Sequence, residues 1–176
     1  MGLSGLGIFH TIIGIIAIVA AIIAFVKHGK IDLKKLTGKI YFYGTLVTSL
    51  TALGLLKHGF NPGHIFSLFI AVLIIVAFYF SEKKSTNHKV RYFENFLLSF
   101  SFFLSLVPTV NETFTRVPIG HPLAKAPTDP IIAKTLLFFL ILFIAGSIYQ
   151  FRKQRTTNKS ELNYNNLCLE NNNVDE

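Results

Sequence analysis

The chain alternates between long apolar runs and short polar segments, and five of the runs are near the length that crosses about 30 Å of hydrocarbon as a helix. Residues 3–26 contain only Ser4, His10 and Thr11 as polar side chains and predict helix 1. Residues 40–56 predict a short helix 2, close to the minimum span, with Tyr41, Gly44, Thr48 and Thr51 along one side. Tyr41, Phe42 and Tyr43 then read as an aromatic belt at its membrane interface. Residues 57–63, KHGFNPG, hold the Asn, Pro and Gly of a tight turn that forces an antiparallel hairpin. His64 opens helix 3, residues 64–81. Helix 4 covers residues 92–116 if it continues through Pro108, which a membrane helix tolerates where neighbours satisfy the freed carbonyl. Residues 117–130 carry four prolines and cannot be helix throughout, and residues 131–151 predict helix 5.

Two helix faces stand out within this pattern. On helix 1, Gly7, His10, Gly14, Ala17 and Ala21 recur at spacings of three and four and offer a neighbour a close-packing stripe. On helix 4, Ser101, Ser105, Pro108, Thr109, Glu112 and Arg116 fall within an arc of roughly 80° at 100° per residue. Glu112 and Arg116 are spaced i,i+4. They read either as a helix-end salt bridge or as part of a ligand or proton site, because ionisable groups facing the inside of a membrane bundle are costly and tend to be functional.

Composition agrees with the pattern: of 176 residues, 51% are hydrophobic and 15% charged, too few charges to cover a soluble domain. The net charge of +8 does not point to nucleic acid, since the basic residues sit at the ends of apolar runs. Thirteen of the seventeen Lys and Arg lie after helices 1, 3 and 5, and only Lys57, Arg116, Lys125 and Lys134 lie on the other side. The expected topology is therefore an all-α antiparallel bundle of five transmembrane helices, N-terminus out and C-terminus cytoplasmic. Helix 1 reads as a retained, reversed anchor, because no Lys or Arg precedes Lys27 and the run exceeds a signal-peptide core. Residues 1–151 form the membrane domain and residues 152–176, polar and Asn-rich, are expected to be disordered.

This orientation puts His10, His64, Asn111, Glu112 and Arg116 on the outer half, where they form the candidate polar or ligand site. The bland role for His10 is a hydrogen bond to a Ser, Thr or carbonyl on a neighbouring helix. As ligands, His10 and His64 are the two histidines near the membrane that can hold a haem b or a metal, yet HxxxH and HxxE spacings are absent. A single cysteine, Cys168, excludes an intramolecular disulfide. Nucleophile arrangements, phosphate loops and paired acidic motifs are also missing, which argues against an enzyme.

Gly7-x-x-His10-x-x-x-Gly14-x-x-Ala17, Gly38-Lys39-Ile40-Tyr41 and Gly63-His64 resemble a family of small bacterial predicted membrane proteins of unknown function, over residues 5 to 80. That family usually has a His-Arg pair before the Gly-x-x-Tyr, where this chain has Lys34 and Lys35. More remotely, the layout is similar to helical bundles of the cytochrome b561 and ferric-reductase type, which would imply haem and electron transfer. With the Lys, Asn, Ile and Phe bias, the expected location is a bacterial inner membrane. The expected function is a non-enzymatic multi-pass membrane protein whose outer polar site is structural or binds a small ligand, a partner membrane protein or a second copy. A haem-binding electron-transfer protein and a small transporter gated by Glu112 and Arg116 are the alternatives.

Overall fold

In the computed structural model, which describes residues 5–54, 62–83, 88–118 and 120–172, each apolar run is one α-helix. The order is α1 (Gly5–His28), α2 (Leu36–Leu53), α3 (Pro62–Glu82), α4 (His88–Arg116) and α5 (Pro130–Asn172). Four of them, α1, α3, α4 and α5, are long and apolar enough to cross a membrane. The shorter α2 is denser in hydroxyls and packs between α1 and α3. The expected turn at residues 57–63 lies largely outside the described residues, as does much of the loop between α3 and α4.

Consecutive helices pack on one another in the order of the chain. The main core gathers Ala17, Ala21 and Ala24 of α1, Tyr41 and Phe42 of α2, Ile74 and Ala77 of α3, and Leu97 and Leu98 of α4. The α5 helix packs mainly along α4, while Leu137, Phe138 and Ile141 point away from the protein. That outward apolar surface is what lipid rather than water would cover.

The small residues of α1 pack against α2 as their spacing predicts. Gly14 faces the Thr48 methyl, and a Cβ at Gly44 would lie 2.9 Å from Cβ of Ala17, so the two backbones approach closely. The connection between α1 and α2 is also part of the core, since Ile31 and Leu33 are buried. It folds over the first turn of α2 so tightly that a Cβ at Gly38 would sit 2.0 Å from the Asp32 carbonyl oxygen.

Two expectations change and one conditional one is met. Tyr41 and Phe42 do not form an interface belt: Tyr41 is fully buried with its hydroxyl 2.8 Å from Ser101 Oγ, Phe42 stacks on Phe78, and only Tyr43 faces outward. Burying the Tyr41 ring is compatible with a membrane core because Ser101 satisfies its hydroxyl. Residues 152–172 do not form a disordered tail but continue α5 as helix. Polar composition suggested no core to bury, yet Gln154 and Asn158 are buried on one face and hydrogen-bonded to each other at 2.8 Å. Finally, α4 does continue through Pro108 to Arg116.

Candidate functional site

Helix register places three of the predicted site residues at one level, with a fourth beside it. Ten residues on from the Tyr41–Ser101 pair, along the parallel helices α2 and α4, come Thr51 and Asn111. Between the antiparallel helices α3 and α4, Ser81 lies beside Glu94. Seventeen residues back from Ser81 is His64, and seventeen on from Glu94 is again Asn111. His10 of α1 joins the same layer through its Nδ1, 3.0 Å from Thr51 Oγ1. The layer thus contains His10, Thr51, His64 and Asn111, with Glu112 next along α4.

The members of this layer differ in how they are satisfied. Thr51 Oγ donates to the carbonyls of Val47 and Thr48, so its lone pairs remain for the imidazole N–H of His10. This is the bland role expected for His10, supplied by α2. His64 is buried and engaged in an interaction of its own. Glu112 lies close enough to His10 to act on it electrostatically. Its carboxylate also pairs with Arg116 Nε at 2.6 Å, with both side chains more than half exposed. Such an i,i+4 pair contributes only about 0.3–0.5 kcal/mol, so it decorates the rim of the layer and does not hold it together. Arg116 itself is one turn beyond the layer.

Asn111 is the exception. Its Oδ1 is buried and has no hydrogen-bond partner among the described residues. An orphaned buried acceptor costs about 1–3 kcal/mol, which a bound donor would recover.

The described residues contain no cluster of three His, Cys, Asp or Glu side chains placed to hold a metal ion. His10 and His64 share a level but come from α1 and α3, which flank α2. Nδ1 of His10 is engaged with Thr51, and the Thr48 backbone is a further partner of the ring.

A second set of buried polar residues was not singled out by sequence reasoning. Ser99 Oγ donates to Gln150 Oε1 at 2.9 Å, Asn95 Nδ2 donates to Gln154 Oε1 at 3.2 Å, and Gln154 Nε2 donates to Asn158 Oδ1. This ladder ties α5 to the start of α4, and all five residues are buried. A readable signal existed: Ser147, Gln150, Gln154 and Asn158 recur at spacings of three and four on α5. The expected end of helix 5 at residue 151 cut that series in half.

Comparison of the chain with protein-family models, curated proteins and solved structures found no match. The resemblance over residues 5 to 80 therefore rests on the residues themselves. In this chain Gly38 admits the Asp32 carbonyl and Tyr41 is buried against Ser101.

Proposed function

We propose that the chain is a non-enzymatic integral membrane protein in which all five helices span, with the N-terminus outside and the C-terminus in the cytoplasm. Its outer polar layer, His10, Thr51, His64, Asn111 and Glu112, binds a small polar ligand that donates a hydrogen bond. The orientation is supported by the basic residues, which concentrate at the end opposite this layer. The binding role is supported by one observation above the others, the unpartnered Oδ1 of Asn111. Within this layer Asn111 Oδ1 is a buried acceptor open to a bound donor; the other buried atom without a partner among the described residues, Ser147 Oγ, lies on α5.

The variant Asn111→Leu tests this without knowledge of the physiological ligand. Removing an orphan acceptor from a ligand site raises the melting temperature of the detergent-purified, ligand-free protein, by about 2–4 °C per kcal/mol recovered in a chain of this size. A panel of small amines, amides and alcohols then includes members that raise the melting temperature of the native protein but not of the variant. If Asn111→Leu lowers the melting temperature and no panel member separates the two proteins, Asn111 is a structural residue and the proposal fails.

A further inference from the structure

We propose that the basic end of the bundle is a built binding surface for the headgroups of anionic phospholipids, formed jointly by the α1–α2 connection and the turns of α5 that follow Phe151. Two groups of exposed cations compose it. Lys27, Lys35 and Lys39 belong to the end of α1 and the start of α2, while Arg152, Arg155 and Lys159 belong to α5. They share a level, because Lys153 Nζ donates to the carbonyl oxygen of His28 at 3.4 Å and so brings this part of α5 to the end of α1. On α5 the cations begin where the apolar run stops, the depth at which a phosphate headgroup lies.

Two acidic residues beside the α1–α2 connection are already engaged. Glu94 is turned inward against Ser81 and is already faced by Lys30 and Lys34, and the Asp32 carboxylate accepts the backbone N–H of Lys34. The excess of positive charge is left facing outward, complementary to an anionic leaflet.

Rigidity distinguishes this surface from lysines that only set topology. The connection is pinned by the buried Ile31 and Leu33 and by the close approach of Asp32 to Gly38. The α5 extension is pinned by the buried Gln154 and Asn158 through the ladder to Asn95. Cations held in place lose less conformational freedom on binding than cations on a disordered tail. Retention of anionic lipid therefore depends on the helical state of α5 as well as on the number of charges.

The test exchanges the full-length protein from vesicles of equal phosphatidylglycerol and phosphatidylcholine into detergent and quantifies the lipid that stays bound. Phosphatidylglycerol is enriched over the input ratio at low salt, and the enrichment collapses when the salt is raised to about 1 M, where screening acts over about 3 Å. The triple variants Lys27→Gln/Lys35→Gln/Lys39→Gln and Arg152→Gln/Arg155→Gln/Lys159→Gln each reduce it, by up to about fivefold per cation removed. Thr156→Pro keeps every charge but breaks the helix at an exposed position, and it lowers the enrichment as the α5 triple variant does, while Thr156→Ala leaves it intact. Equal retention of the two lipids by the native protein would overturn the proposal. So would a Thr156→Pro protein that retains phosphatidylglycerol like the native one, since charge count alone would then suffice.

Discussion

A methyl group at Gly38 would meet the Asp32 carbonyl oxygen at 2.0 Å and the Leu33 nitrogen at 3.0 Å, both backbone atoms that cannot rotate away. Gly38→Ala therefore forces the α1–α2 connection off α2 and lifts Ile31 and Leu33 from the core. The expected cost is about 1–3 kcal/mol, read as a lowered melting temperature of the purified protein, with Gly146→Ala as the control because nothing lies within 4 Å of its added Cβ. A Gly38→Ala protein that melts with the native one would show that the connection yields freely. At this scale the sequence was only partly legible. The spacing of Gly7, His10, Gly14 and Ala17 announced a packing face, and Gly44, Thr48 and Thr51 of α2 are the surface it meets. The interior position of Tyr41 was not legible, because an aromatic residue near the end of an apolar run suits an interface belt and a core equally well. What decides is Ser101, sixty residues away, which supplies a partner for the hydroxyl.

At the scale of the element, α4 and α5 both run further than local rules suggest. Pro108 removes the N–H that would bond the Leu104 carbonyl one turn back, yet the helix carries on to Arg116. The continuation puts Asn111 and Glu112 on a helix beside α2 and α3 and not in a loop. In α5, Gln154 and Asn158 of the expected tail continue the stripe of Gln150 that faces α4. Amide hydrogen exchange checks this directly: residues 152–160 are expected to exchange much more slowly than an unstructured peptide of the same sequence. Exchange at the unstructured rate immediately after Phe151 would mean that α5 ends with its apolar run.

For the whole molecule, the distribution of Lys and Arg supports the proposed orientation, and the one natural cysteine provides its test. In intact cells, Cys168 is expected to resist a membrane-impermeant maleimide until the membrane is opened. Lys125→Cys in a Cys168→Ser background reacts before opening, since residue 125 lies at the opposite end and is exposed. The reverse pattern would invert the proposed topology and place the polar layer on the cytoplasmic side. The arrangement of helices is simpler to account for: α1 to α4 gather around the alanine, tyrosine and leucine core, and α5 adds to α4, as short connections between antiparallel neighbours favour.

From the amino-acid sequence alone came the class of protein, the number of helices, their approximate bounds apart from the end of α5, and the small-residue face of α1, because each depends on runs and periodicities that a single segment contains. The polar layer was legible as a list of residues on one half of the chain, but not as a layer. Its level, the pairing of His10 with Thr51 and the orphaned oxygen of Asn111 depend on how α1, α2, α3 and α4 are set against one another. The same holds for the ladder between α4 and α5. A hydrogen bond between residues fifty or sixty positions apart leaves no periodic trace in either segment, so only the packing of the helices decides which polar groups are satisfied and which are left open.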